Sequence, residues 1–223
     1  MGEVLSDDAA SVLAHAAAPP DPVLAEMAAH GREESFPVVG PHAGRALRLL
    51  ARTAGARRVF EFGSGFGYSA AWFLGALPDD GELVLTDHDP ARLDTAREFL
   101  GRYDSPVTVR YEAGDAIETF AETVGGTEKP VDVALFDHEK SRYVEALDAV
   151  LGTLEPGSLV VADNVLAGPV TPGAVRDALA GDEPADETVA GVARYLECVR
   201  DDPALETSVL PLGEGLAVSR YEP

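Results

Sequence analysis

Short apolar runs recur along the chain, spaced so that a helix fits between each pair. They are Val59, Phe60 and Phe62; Glu82-Leu-Val-Leu-Thr-Asp87; residues 107–113; Val131-Asp-Val-Ala-Leu-Phe-Asp137; and Ser158-Leu-Val-Val-Ala-Asp-Asn164. Runs this short and continuous suit strands buried on both faces of a parallel sheet. Between them, helical spacing predicts helices over residues 68–74, 92–100 and 141–154, with one more entered through the turn Gly114-Asp-Ala116. Strand and helix in alternation predict a doubly wound, mostly parallel sheet. Ahead of it, Ser6-Asp-Asp8 can cap a helix over residues 9–18, which Pro19, Pro20 and Pro22 end. A second short helix over 22–30, a polar loop over 31–34, an extended segment over 36–42 and a helix over 43–54 follow. Residues 168–186 read as one long irregular loop of the kind that forms lids. After a helix over 187–200, strands over 205–212 and 216–221 meet at Gly213-Glu-Gly215 and must pair antiparallel. The sum is an α/β fold with seven strands and helices on both faces, one domain over residues 1–223. Residues 1–35 form a helical lid or subunit-contact segment on a core of 36–223.

The first strand runs into Gly63-Ser-Gly-Phe-Gly67 and then into the helix opened by Tyr68. Three glycines there let the backbone turn tightly and approach a ligand closely, and the helix start behind them attracts negative charge. A dinucleotide fingerprint would need glycine at position 68, where Tyr68 stands, so the spacing argues against NAD. A plain strand-to-helix turn is the alternative to a cofactor grip.

Charge narrows the partners. Lys+Arg 17 against Asp+Glu 39 leaves a formal net charge of −22, which disfavours nucleic acid and anionic membranes. Arginine carries nearly all the positive charge, since Lys129 and Lys140 are the two lysines. That pattern suggests adaptation to a salt-rich cytoplasm, where dissolved ions screen the surface's self-repulsion. Cys198 stands alone, so a disulfide framework or cysteine-rich metal site is excluded. Acids near the N-terminus and the lack of a long apolar run predict a soluble cytoplasmic protein without a membrane partner.

Four predicted strands end in candidate chemistry: Gly63, Asp87, Asp137 and the pair Asp163-Asn164. Ligands of open α/β sheets bind at that edge. Asp87, roughly twenty residues past the glycines, stands where a carboxylate holds a ribose diol, or else it opens the helix before Pro90. Asp115 is placed to meet a bound base. Asp137, Asp163 and Asn164 would supply three oxygen ligands suited to a hard cation such as Mg²⁺, with about three octahedral positions left for water or substrate. Each is also a common turn residue. Lys140, three residues after Asp137, is either a surface lysine or an amine retained because it can give up its proton and act as a general base.

Four segments taken together resemble the cation-dependent O-methyltransferases, the family of catechol and caffeoyl-coenzyme A O-methyltransferases. They are Phe60-Glu-Phe-Gly-Ser-Gly-Phe-Gly-Tyr-Ser69, Leu135-Phe-Asp-His-Glu-Lys-Ser-Arg-Tyr143, Ala162-Asp-Asn-Val-Leu-Ala-Gly-Pro-Val170 and Leu210-Pro-Leu-Gly-Glu-Gly-Leu216. The resemblance spans residues 36–221 and implies a Rossmann-like class I methyltransferase fold using S-adenosylmethionine. It implies Glu61, Gly63, Gly65 and Ser69 around the methionine part with Val39 above, Asp87 at the ribose and Asp115 at the adenine. Asp137 would serve the cofactor side and also join Asp163 and Asn164 on Mg²⁺, Mn²⁺ or Ca²⁺, with Lys140 as base. A small acceptor with vicinal hydroxyls, such as a catechol, and a homodimer are further implications. A modified tRNA nucleoside is the rival acceptor, and a non-catalytic nucleoside-binding module the rival outside enzymes. Glu139 stands where catechol enzymes carry an aromatic residue, and His138 is either a supporting residue or solvent-facing.

Overall fold

The computed structural model describes residues 4–124 and 130–223. Five parallel strands form the centre: β1 (Arg58–Phe62), β2 (Glu82–Asp87), β3 (Thr108–Ala113), β4 (Val133–Phe136) and β5 (Leu159–Ala162). The tail adds β6 (Leu205–Leu210) and β7 (Leu216–Tyr221), with β7 antiparallel to both β5 and β6. The order across the seven-stranded sheet is β3-β2-β1-β4-β5-β7-β6. The order of connection reverses between the parallel strands β1 and β4, which opens a crevice at their carboxyl ends.

Alternation along the strands divides the core in two. Val59, Leu83, Leu85, Val133, Leu135 and Val161 face one side, where α2 (Pro22–Glu33), α3 (Gly40–Thr53), α4 (Tyr68–Leu74) and α5 (Pro90–Leu100) pack. Phe60, Phe62, Val84, Ala134, Phe136 and Val160 face the other, under α6 (Ala116–Thr123), α7 (Tyr143–Leu151) and α9 (Glu187–Asp201). With both faces covered, the central strands carry apolar side chains on both sides, which explains their continuous runs. Helix α1 (Asp7–Ala16), capped by Ser6, buries none of its residues.

Four stretches depart from the sequence reading. Helix α2 continues through the predicted polar loop to Glu33, because Gly31 fits a tight approach: a Cβ there would lie 3.1 Å from the Phe36 carbonyl oxygen. Helix α3 begins at Gly40, inside the predicted extended segment, with Pro41 in its first turn, where the missing N–H costs nothing. The predicted irregular loop over 168–186 contains α8 (Pro172–Leu179). Thr171 caps it by accepting from the Ala174 N–H at 3.2 Å, Pro172 opens it, and Val175 anchors it in the core. The predicted helix over 141–154 is a 3-10 turn, Lys140–Arg142, running into α7. Among the described residues, no helix is long and apolar enough to cross a membrane.

Candidate active site

Parallel register sets the site residues side by side. Phe62 pairs with Thr86 and with Phe136, and Phe136 with Ala162, so Gly63, Asp87, Asp137 and Asp163 each follow in one row. Gly63 and Gly65 have φ of 81° and 52°, which a side chain adopts only under strain. A Cβ on Gly63 would also fall 2.9 Å from the Asp137 carbonyl oxygen. Cross-strand bonds fix the loop: the Ser64 N–H donates to the Thr86 carbonyl at 2.8 Å, and the Gly65 N–H to Asp87 Oδ2 at 3.0 Å. Asp87 Oδ1 accepts from the Asp89 N–H at 2.9 Å, so the carboxylate is held at both oxygens.

Val39, Gly63, Gly65, Ser69, Asp87, Asp137, Lys140, Asp163 and Asn164 all line one cavity of about 1150 Å³. Glu61 sits behind that wall, 1 % exposed, and among the described residues neither carboxylate oxygen makes a hydrogen bond of normal geometry. Burial pushes its carboxyl up to about 8; the nearby Ser69 hydroxyl opposes the shift and the Asp137 charge adds to it. Asp115 also lies outside the lining, between Gly114 and Ala116, which belong to it. Its Oδ1 caps α6, accepting from the Ile117 and Glu118 N–H groups at 2.9 and 3.1 Å, while Oδ2 pairs with Arg142. Arg142, with help from the two backbone donors, holds the Asp115 carboxyl down at about 2.

The other end of the cavity is electrostatically different. Asp163 is 1 % exposed, and burial first, then the Asp137 charge, hold its carboxyl well above the usual range. Burial raises Asp137 as well, against the pull of the Lys140 ammonium, whose Nζ is 2.9 Å from Asp137 Oδ1. Asp163 Oδ1 accepts from the Asn164 N–H at 2.7 Å. Among the described residues, the second oxygen of each carboxylate makes no hydrogen bond. Asn164 takes a left-handed φ of 60° and donates its Nδ2 to Glu214 Oε2 at 2.6 Å, which leaves the amide oxygen free. Two neighbouring carboxylates, Asp163 buried and Asp137 half-buried, with unused oxygens beside the Asn164 amide oxygen fit a hard divalent cation. No cluster of three or more His, Cys, Asp or Glu gathers for a metal among the described residues, so a cation here would depend on the amide.

Several contributors escape a sequence reading. The Tyr143 hydroxyl reaches the carbonyls of Phe136 and Asp163 at 2.9 and 3.0 Å and so ties the ends of β4 and β5 together. Glu214 fixes the Asn164 amide from fifty positions along the chain. Among the described residues, neither buried ring nitrogen of His138 makes a hydrogen bond of normal geometry, and burial lowers its pKa to about 4. The helix-capping pattern Gly114-Asp115-Ala116 was the one available sign that the Asp115 carboxylate is already in use.

This sheet order, with its glycine loop at the crevice and an antiparallel terminal hairpin, is the architecture of class I methyltransferases. The chain belongs to the O-methyltransferase family, which it matches over residues 17–221. Catechol O-methyltransferase of Niastella koreensis is 30% identical over 185 residues, covering 82% of this chain and 78% of the relative. Catechol O-methyltransferase of Mycobacterium tuberculosis is 29% identical, covering 85% and 82%. Among solved structures, the O-methyltransferase TomG of Streptomyces achromogenes, in complex with S-adenosylmethionine, is 26% identical with a TM-score of 0.83 over the whole of both chains. The protein is an S-adenosylmethionine-dependent O-methyltransferase related to the catechol enzymes.

Proposed function

We propose that the chain methylates one of two adjacent hydroxyls on a small, catechol-like acceptor in a divalent-cation-dependent reaction. The observation that carries this reading is the convergence of unused oxygens from Asp137, Asp163 and Asn164 beside Lys140, in the cavity that also contains the glycine loop. Those three residues would hold Mg²⁺, or Mn²⁺ or Ca²⁺, and the ion would supply positive charge against which a phenolic hydroxyl ionises. Lys140 Nζ would receive the proton of the reacting hydroxyl. Bound S-adenosylmethionine would supply an electrophilic sulfonium methyl, so that an O–CH₃ bond would form as the S–CH₃ bond breaks and S-adenosylhomocysteine would leave. Glu61 would accept the cofactor's ammonium, Asp87 its ribose hydroxyls, and Val39, Gly63, Gly65 and Ser69 would shape its bed, while Asp115 steadies the adenine end through α6. Since the reaction neutralises opposite charges, walls that exclude water and fix the approach supply most of the catalysis.

Methyl transfer from labelled S-adenosylmethionine to a simple catechol, with Mg²⁺ or with a chelator, tests this directly. Molar salt is the assay medium because the net charge of −22 suggests a salt-adapted surface. Turnover that needs the cation and drops about 10²–10⁴-fold in Lys140→Ala supports the assignment. Turnover unaffected by the chelator, or by loss of Lys140, refutes it.

A further inference from the structure

Helix α5 and the segment that follows α2 meet at the edge of the cavity. Arg92, in the first turn of α5, lays its guanidinium 4.6 Å from the centre of the Phe36 ring. Its Nη1 lies 3.7 Å from Asp87 Oδ1 and its Nε 3.8 Å from Asp89 Oδ2. Phe36, Asp87, Asp89 and Arg92 all line the cavity. The Phe36 ring in turn rests on the glycine loop, since a Cβ on Gly65 would fall 2.8 Å from it, and it meets the Phe66 ring edge-on at 5.4 Å. Neither carboxylate hydrogen-bonds the guanidinium at these distances. Arg92 is therefore held by charge on one side and by the ring face on the other, an arrangement that orients a planar cation well.

Farther along, the end of α5 and the turn after it secure the start and body of α2. Arg102 pairs with Glu26 at 2.7 Å, the Tyr103 hydroxyl donates to Asp21 at 3.1 Å, and Phe99 meets His30 at 5.6 Å. These contacts stand off the cavity lining, whereas the Arg92–Phe36 contact is part of it. The segment between Gly31 and Val39 thus has a fixed root on α2 and a tip whose hold on α5 passes through a side chain beside Asp87.

We propose that Arg92 is a positioning residue that couples occupation of Asp87 by the cofactor ribose to closure of Phe36 over the glycine loop. The inference rests on the reading of Asp87 as the ribose-binding acid. With Phe36 seated, the guanidinium is shielded on its ring side and stays beside the Asp87 carboxylate, so water competes less for the oxygens that receive the diol. A diol on Asp87 in turn displaces water from the remaining lone pairs of that carboxylate, so the guanidinium on which the ring sits faces it across a drier gap. Coupling of this kind is reciprocal, so Arg92 and Phe36 act as one unit on cofactor affinity.

Calorimetric titration with S-adenosylhomocysteine tests this in the full chain, comparing Arg92→Ala, Phe36→Ala, the double variant, Arg92→Lys, Asp87→Asn and Arg97→Ala. Arg97 stacks over Tyr111 at 4.6 Å on the same helix and is absent from the cavity lining, so its variant controls for damage to α5. Each single change at Arg92 and Phe36 is expected to raise Kd about fivefold. The double variant is expected to be no weaker than the worse single, Arg92→Lys to bind more tightly than Arg92→Ala, and Arg97→Ala to match the native chain. Multiplying single effects, or a native Kd in Arg92→Ala while Asp87→Asn binds weakly, would overturn the coupling. A native Kd in Asp87→Asn would instead remove the ribose reading beneath it.

Discussion

The two ends of the cavity are built on opposite principles. At β1 and β2, geometry dominates: left-handed glycines, backbone donors aimed across strands, and an Asp87 carboxylate anchored at both oxygens. At β4 and β5, charge dominates: Asp163 is buried and the half-buried Asp137 beside it raises its affinity for protons, with the Lys140 ammonium as the nearby positive group. The first end is complete as it stands and needs a ligand of matching shape. The second is costly until positive charge arrives, since buried like charges repel strongly where little water screens them. A shape-matched bed for a cofactor and an unbalanced acidic nest for a cation are what a two-component reaction site requires.

The contrast can be broken most forcefully at Asp163. Asp163→Asn should lower kcat by at least ~10²-fold, a loss of the size seen when metal sites are perturbed. The same change should leave the melting temperature of the ligand-free chain equal or higher, because it removes a buried acid that the neighbouring Asp137 charge opposes. A large fall in that melting temperature would mean that Asp163 is a structural anchor.

Gly63→Ala attacks the other end. With φ at 81° and a backbone oxygen 2.9 Å from the new Cβ, the change should cost about 1–3 kcal/mol. For a chain of this size each kcal/mol lowers the melting temperature by roughly 2–4 °C. Cofactor affinity should fall with it, whereas Asp163→Asn should leave cofactor affinity near native.

Glu61 is the exception on the cofactor side, a fully buried carboxylate whose titration ties stability to pH. Its pKa is raised from the ordinary 4.5 to about 8, so the folded state binds its proton more tightly than the unfolded state does. The stability this adds is full below pH 4.5 and declines until it is gone near pH 8. Glu61→Gln should flatten that part of the melting profile. In the native chain, S-adenosylmethionine binding should tighten as pH rises toward 8 and release a proton, because the cofactor's ammonium favours the ionised acid. Calorimetry in buffers of different ionisation enthalpy reads that proton directly.

Much of this was legible before any coordinates. Strands buried on both faces must be continuously apolar, so β1, β2, β4 and β5 announced themselves, and the residues ending them fell into one row because parallel register carries them there. The hidden parts depend on contacts between distant positions. Glu214 meets Asn164 and Arg142 meets Asp115 only once the sheet is assembled. Helix α8 was obscured because Pro172-Gly173 looks like a break, although Thr171-Pro172 is a good helix start. Gly31 looked like a loop residue and is instead the point where α2 passes close beneath Phe36.

The central claim, that the β4–β5 end is a cation site, is tested most directly by melting the chain across a Mg²⁺ titration in high monovalent salt, alongside Asp163→Asn. At a concentration near one hundred times Kd, a single site should add about 2.7 kcal/mol. That amounts to a saturable rise of roughly 5–10 °C in the native chain. The rise should be absent in Asp163→Asn. No saturable rise in the native chain, or an equal rise in both, would contradict the account.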